Sequence, residues 1–76
     1  MLKAKSYLYS RIEEYANDNG YYVTFHGNYL VGEQFVVLKH YKIDITISFV
    51  LTGTTGNGNV YECIYSDIDE ENTLND

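Results

Sequence analysis

Residues 43–51 alternate between apolar and polar side chains for most of their length. The odd positions hold Ile, Ile, Ile, Phe and Leu, whereas Asp44, Thr46 and Ser48 lie between them. A period of two places the two sets on opposite faces of a β-strand, and Ile and Phe also favour strands. The stretch therefore predicts a half-buried strand, and we expect it to be the central strand of the sheet.

The length of 76 residues is enough for one small domain. A chain this short buries only about 60% of the surface that it exposes when unfolded, so its core is small. The hydrophobic fraction is 45%, with nine Tyr and three Phe, which is typical of globular proteins. We expect a single α+β domain over residues 1–68 and a frayed acidic tail over residues 69–76.

The charges are divided unevenly along the chain. The formal net charge is −6, from five Lys and Arg against eleven Asp and Glu. Residues 43–76 contain seven of the acids and no Lys or Arg. Nucleic-acid binding requires basic side chains that neutralise phosphates, so we expect no direct binding to nucleic acid. The acidic part of the chain is suited to a basic protein surface instead.

Cys63 is the single cysteine, so no disulfide can form within the chain. The first residues lack the basic and apolar regions of a secretory signal. No apolar run approaches the roughly 20 residues that span a bilayer. We therefore expect a cytoplasmic protein without a membrane role.

The N-terminal residues predict one amphipathic helix from residue 2 to about residue 19. Apolar residues recur there at spacings of three and four, and they are Ala4, Leu8, Ile12, Tyr15 and Ala16. Asn19 and Gly20 follow, and both tolerate the left-handed conformation in which helices commonly end. We expect this helix to lie across one face of the sheet.

Further stretches predict strands and their connections. The β-rich stretches are residues 21–26, 29–31 (a strand or a loop), 35–40 and 60–68. The Gly and Asn residues at positions 53–59 predict a protruding hairpin loop, after which the last strand pairs antiparallel with the central one. Neither Gly nor Pro lies between the predicted strands at residues 35–40 and 43–51. Residues 35–51 therefore form either two strands or one bulged strand.

These elements predict an α+β fold, with one N-terminal helix packed on one face of an antiparallel sheet of three to four strands. Two of the predicted strands are apolar on both faces, whereas a single helix covers only one face of a small sheet. An exposed apolar strip on a small protein marks an interface. We therefore expect a homodimer or another stable complex, with self-association through Val36, Leu38, Val60 and Ile64.

No combination of residues carries a catalytic or cofactor signature. The Gly-rich loop lacks the Lys of a phosphate-binding loop and leads into a strand rather than a helix. Cys63, His26 and His40 are single residues on separate elements, without the close pairs of a zinc site. Asp44 and Glu62, on neighbouring strands, are interpreted as solvated carboxylates. We expect no enzyme activity, no cofactor and no metal.

The acidic residues near the C-terminus are the main functional signal. Carboxylates that alternate with tyrosines can imitate the phosphates of a duplex, while Tyr adds rigid contact area. The predicted partner-binding residues are Tyr61, Glu62, Tyr65, Asp67, Asp69, Glu70 and Glu71, and a second patch on the helix consists of Glu13, Glu14 and Asp18. The sequence leaves open whether the two patches merge, and a solvated charged tail is the alternative interpretation.

In size, acidity and Tyr content the chain resembles the small inhibitor proteins that bacteriophages make to occupy host nucleic-acid-binding proteins. The resemblance is one of composition and covers no motif. We expect a small acidic inhibitor that occupies the basic surface of such a partner by mimicking the charge of DNA. The alternatives are a structural homodimerisation module, and an immunity protein that neutralises a basic nuclease toxin.

Overall fold

The computed structural model describes residues 2–28 and 33–68 of the chain. Within these residues the elements are β1 (Ser6–Leu8), α1 (Tyr9–Asn19), β2 (Tyr21–Asn28), β3 (Glu33–His40), β4 (Thr46–Thr55) and β5 (Gly58–Ser66). The strands pair antiparallel in the spatial order β1-β5-β4-β3-β2. This confirms the α+β class, but the sheet has five strands where three to four were expected. Residues 29–31 and the expected tail over 69–76 lie outside the described residues.

The additional strand is formed by residues that the sequence pattern assigned to the helix. Strand β1 pairs with residues 60–62 of β5. Ala4 has a φ of 64°, in the left-handed region where a helix does not continue, and α1 begins only at Tyr9. The expected helix start was therefore wrong. Pairing with β5 satisfies the backbone of β1, which outweighs a helical pattern that rested there on Ala4 and Leu8 alone.

Helix α1 packs its apolar side against the sheet and ends where the sequence predicts. Ile12, Tyr15 and Ala16 are buried, as their spacing indicates. Gly20 has a φ of 80° and its N–H donates to the carbonyl of Ala16, so the helix ends in a left-handed residue. The helix has 11 residues, and no helix in the described part of the chain has the length and apolar character that crossing a membrane requires.

Strand β4 is the central strand of the sheet, as predicted, but it begins at Thr46. Ile47 and Phe49 are fully buried, whereas Ile43 is 56% exposed. Ile43 lies in the connection that precedes β4, so the alternating pattern continues beyond the end of the strand. The period of two identifies the strand and its buried face, but it does not give the first residue.

β3 and β4 are separate strands joined by residues 41–45, which answers the question that the sequence left open. His40 Nδ1 accepts hydrogen bonds from the amides of Lys42 at 3.0 Å and Ile43 at 3.3 Å. The His40 amide donates to the carbonyl of Ile45 at 3.1 Å. The imidazole thus stabilises a connection that contains neither Gly nor Pro.

The expected long loop between β4 and β5 is a tight turn at Gly56 and Asn57. The Thr55 hydroxyl accepts a hydrogen bond from the Asn57 amide at 3.1 Å and donates to the Gly58 carbonyl at 3.1 Å. Gly58 has a φ of 123°, a conformation that other residues rarely adopt. Thr54 and Thr55 favour strands, so β4 extends into residues 53–55, where the Gly and Asn content predicted a loop.

The core lies between α1 and the face of the sheet that it covers. Its buried side chains are Tyr7, Ile12, Tyr15, Ala16, Tyr21, Val36, Leu38, Ile47, Phe49, Tyr61 and Cys63. The rings of Tyr7 and Phe49 meet edge to face, with centroids 6.3 Å apart. Val36 and Leu38 were expected to mediate self-association, and this placement was wrong because both are 0% exposed beneath the helix. They have no surface available to a second copy.

No described helix covers the opposite face of the sheet. On β3 it presents Phe35 and Val37, which alternate with the buried residues and are themselves half-buried. Val50 of β4 pairs with Phe35 and extends this surface, and Val60 of β5 lies on the same side. We call these four residues the open face.

Candidate acidic binding site

Two acidic residues and a tyrosine lie together where β5 ends and β4 begins. The Asp67 amide donates to the Thr46 carbonyl at 3.1 Å, and the Thr46 amide donates to Oδ2 of Asp67 at 2.9 Å. The Tyr65 hydroxyl donates to the other carboxylate oxygen of Asp67. Asp44 precedes Thr46 by two residues, and its charge acts on Tyr65. We call Asp44, Tyr65 and Asp67 the acidic end.

The hydrogen bonds to Asp67 favour its ionised form. The Tyr65 hydroxyl first, and the Thr46 amide second, lower the pKa of Asp67 below its ordinary value of 3.8. The same hydrogen bond to Asp67 raises the pKa of Tyr65 above 10.0, and the negative charges of Asp67 and Asp44 act in the same direction. At neutral pH this site therefore presents a carboxylate in a defined position beside a neutral phenol.

A β-bulge in β5 exposes two consecutive side chains next to the acidic end. The register passes from Tyr65 opposite Ser48 to Cys63 opposite the next residue of β4. This shift leaves Ile64 without a partner on β4. Ile64 is 42% exposed and Tyr65 is 47% exposed, whereas a regular strand would direct one of two neighbours towards the core. The bulge thus places apolar and aromatic surface beside the Asp67 carboxylate.

The other predicted partner-binding residues of this region have different environments. Glu62 is half-buried and pairs with Val50, on the side of the open face. Tyr61 packs under α1 and is 3% exposed, which leaves it almost no surface for a partner. Ile68, the last described residue, packs against the core. The remaining predicted residues lie outside the described part of the chain, and they are Asp69, Glu70 and Glu71.

The acidic residues of the helix form a separate surface. Glu13, Glu14 and Asp18 are exposed on α1, which lies on the side of the sheet opposite to Glu62. Glu14 forms an ion pair with Arg11, at 3.4 Å. The Tyr9 hydroxyl lies 3.5 Å from Oε2 of Glu13. The structure therefore does not merge the helical patch with Glu62 into one negative face.

Cys63, His26 and His40 lie on three different strands, β5, β2 and β3. Burial raises the pKa of the Cys63 thiol, which keeps it protonated and weakly nucleophilic, and its Sγ donates to the Tyr65 carbonyl at 3.6 Å. The His40 ring packs edge to face on Tyr21, with centroids 5.0 Å apart. Among the described residues no group of three or more His, Cys, Asp or Glu is placed to hold a metal ion.

Asp44 was interpreted from the sequence as a solvated carboxylate and was not among the predicted partner-binding residues. In the structure the charge of Asp44 raises the pKa of Tyr65. The signal for this site is the Tyr65 and Asp67 pair, because side chains two residues apart on a strand lie on the same side and can contact each other. The role of Thr46 and Asp44 depends on the register between β4 and β5, which the sequence does not show.

The fold and the acidic end define a small α+β domain with one uncovered sheet face and a carboxylate held at the end of its last strand. Comparisons with family models, with curated proteins and with solved structures give no match for the chain. The function is therefore inferred from the residues and their geometry.

Proposed function

We propose that this protein binds the basic surface of a nucleic-acid-binding protein through its acidic end, and that it inhibits this partner by occupying the place of DNA. The observation that carries the proposal is the exposed Asp67 carboxylate, which two hydrogen bonds from the fold hold in place and keep ionised. A phosphate of a duplex is likewise a charged acceptor at a defined position. The chain acts as a binding protein of the cytoplasm, not as an enzyme.

Preorganisation distinguishes Asp67 from an ordinary surface carboxylate. Ordering a flexible side chain on binding costs about 0.5–1.5 kcal/mol, and Asp67 is already ordered in the unbound protein. A carboxylate has about four acceptor positions, of which two are used here. The remaining positions can accept hydrogen bonds from a Lys or Arg of the partner without breaking the contacts to Thr46 and Tyr65.

The surrounding charges also favour a basic partner. Residues 43–68 contain Asp44, Glu62 and Asp67 but no Lys or Arg, and the sequence adds three acids directly after Ile68. Lys39 of β3 pairs with Thr46 and limits the acidic surface on that side. On the other side of β5, the Cys63 amide donates to the Lys5 carbonyl at 2.9 Å, and the charge of Lys3 acts on Cys63. The carboxylates still outnumber these flanking cations once the acids after Ile68 are counted. A mainly negative surface accelerates encounter with a basic partner, and this effect weakens as salt rises.

The exposed Ile64 and Tyr65 supply contact area beside the charge. Interfaces rely on a few aromatic or apolar anchors at their centre, with charged groups that set orientation and association rate. Tyr65 combines both roles, because its ring is exposed while its hydroxyl orients the Asp67 carboxylate. This arrangement suits insertion into a basic groove.

Two triple variants with the same change in charge test the site. One neutralises the acidic end together with Glu62, through Asp44→Asn, Glu62→Gln and Asp67→Asn. The other neutralises the helical patch, through Glu13→Gln, Glu14→Gln and Asp18→Asn. Each changes the formal net charge from −6 to −3. The native chain and both variants are used as baits for a bacterial lysate, eluted with a salt gradient and challenged with duplex DNA.

We expect a basic protein that binds the native chain and the helical variant, is displaced by DNA, and binds the acidic-end variant about tenfold or more weakly. Thermal unfolding of both variants controls for loss of fold. Equal weakening by both variants would show that net charge rather than the acidic end is responsible. A captured protein that DNA does not displace, or whose affinity is independent of salt, would contradict mimicry of nucleic acid.

A further inference from the structure

The outer edge of β2 is a long, regular strand edge. β2 spans eight residues and lies at one end of the sheet, whereas β1 at the other end has three. It pairs with β3 through eight consecutive residue pairs, without the register shifts that occur between β4 and β5. Among the described residues no strand pairs with its outer side.

The backbone groups on this edge follow from the register. The Tyr41 amide donates to the Gly20 carbonyl at 3.0 Å, which makes these two residues a hydrogen-bonded pair just beyond the end of β2. Such pairs recur at every second residue of an antiparallel ladder. The even-numbered residues of β2 therefore bond to β3. The odd-numbered residues, among them Val23 and Phe25, direct their N–H and C=O groups away from the sheet.

β2 lacks the features that protect the edge strands of most proteins. Its sequence, Tyr-Tyr-Val-Thr-Phe-His-Gly-Asn, contains no Lys, Arg, Asp, Glu or Pro. Natural edge strands are usually short, charged, bulged or interrupted by Pro, because an open edge pairs readily with another strand. Two aromatic side chains are also exposed along it, Tyr22 at 38% and Phe25 at 64%. This edge is therefore suited to accept a further strand.

We propose that two copies of this chain pair antiparallel along β2, which joins their sheets into one of ten strands with two-fold symmetry. Identical strands that pair about a two-fold axis are self-complementary, so each copy satisfies the outward groups of the other. The absence of charged residues on β2 permits this occupant and disfavours a basic partner at this edge. Two chains of net charge −6 meet here without a carboxylate on either strand, whereas a basic partner finds no carboxylate on β2 to bind.

The proposed contact is independent of the acidic end. β2 is the edge strand at one end of the sheet. Two strands, β3 and β4, separate it from β5, which contains Tyr65. Pairing along β2 therefore leaves Tyr65 and Asp67 accessible. Each dimer carries two acidic ends, and failure of the dimer would leave the proposed inhibitor function intact.

Amide hydrogen exchange measured by NMR at increasing protein concentration tests the pairing. As the dimer forms, which analytical ultracentrifugation follows, the amides of Val23 and Phe25 become hydrogen-bonded between copies, and we expect their exchange to slow by about tenfold or more. The amides of Tyr22 and Thr24 already face β3 and change less. A monomer at every concentration, or a dimer in which the Val23 and Phe25 amides exchange as before, would overturn the proposal.

Two matched variants locate the interface. Phe25→Lys places a positive charge on the β2 edge of each copy, and we expect it to raise the dimer dissociation constant by about tenfold or more. Ile64→Lys places the same charge on β5, at a residue expected from the sequence to self-associate, and leaves the dimer intact. If Phe25→Lys does not fold, the exchange of the Val23 and Phe25 amides in the native chain still tests the pairing. A dimer lost through Ile64→Lys, alone or equally with Phe25→Lys, would overturn the proposal.

Discussion

The Asp67 carboxylate stabilises the fold and also places a negative charge on the surface. Its Oδ2 accepts a hydrogen bond from the Thr46 amide, and its other oxygen accepts one from the Tyr65 hydroxyl. The carboxylate therefore contacts both strands of the last hairpin. Because the pKa of Asp67 is lower in the folded than in the unfolded chain, the ionised carboxylate stabilises the fold. This contribution is complete above the ordinary pKa of 3.8 and is lost as the pH falls through the lower pKa of the folded state.

Asp67→Ala is therefore expected to lower the Tm at neutral pH and to have a progressively smaller effect as the pH falls below 3.8. Thermal unfolding across this pH range measures the difference between native and variant chains. Asp44→Ala is the matched control, because it removes a nearby charge but neither of the hydrogen bonds to Asp67. A difference in Tm that stays constant into the acid range would show that the carboxylate charge is not responsible.

The central strand shows what an alternating pattern determines at the level of one element. Ile43 and Ile47 occupy equivalent positions in the pattern, yet Ile47 is fully buried and Ile43 is 56% exposed. The difference arises because His40 accepts hydrogen bonds from the amides of Lys42 and Ile43, which holds Ile43 in the connection. β4 begins only at Thr46. Tertiary contacts, not the local pattern, decide where the strand begins.

The two isoleucines give a direct test of this boundary. Ile47→Ala is expected to cost about 2–5 kcal/mol of unfolding free energy, because it leaves a cavity between sheet and helix. Ile43→Ala is expected to change the unfolding free energy by less than about 0.5 kcal/mol, as for other surface substitutions. Denaturant unfolding of both variants measures the difference. Similar values for the two variants would contradict the placement of Ile43 outside the strand.

The whole molecule carries a net charge of −6, and this acts against the compact state. Most of the negative charge lies in the second half of the chain, where no Lys or Arg offsets it. Salt screens repulsion among exposed charges over a distance of about 8–10 Å at physiological ionic strength. The same salt is expected to strengthen the fold and to weaken binding to a basic partner.

Raising the salt from low to physiological concentration is expected to stabilise the native chain by about 0.5 kcal/mol, or about 2–4 °C in Tm. The helical triple variant, with a net charge of −3, is expected to gain less. Thermal unfolding over a salt series measures both chains without any partner. A Tm that is constant or falls with salt would show that self-repulsion does not limit the stability of this protein.

The candidate site could be predicted only in part. Tyr65 and Asp67 were identified from the sequence, because tyrosines alternate with carboxylates in the acidic part of the chain. Tyr61, Cys63 and Tyr65 are two residues apart, which predicts one shared side, but the bulge at Ile64 places Tyr65 on the other side. Asp44 joins the site because Asp67 bonds to Thr46, two residues further along the chain. A bulge and a register depend on contacts between distant residues, and no local pattern reports them.

The sequence by itself determined the α+β class, the central strand and the end of the helix at Gly20, because alternation, helical spacing and a left-handed glycine are local properties of the chain. The tertiary structure alone decided that Ser6–Leu8 is a strand, that Val36 rather than Val37 faces the helix, and that β2 lies at the edge of the sheet. These outcomes depend on which strands pair and which face the helix covers. That choice is settled by the burial of the whole core, to which each local segment contributes only a part.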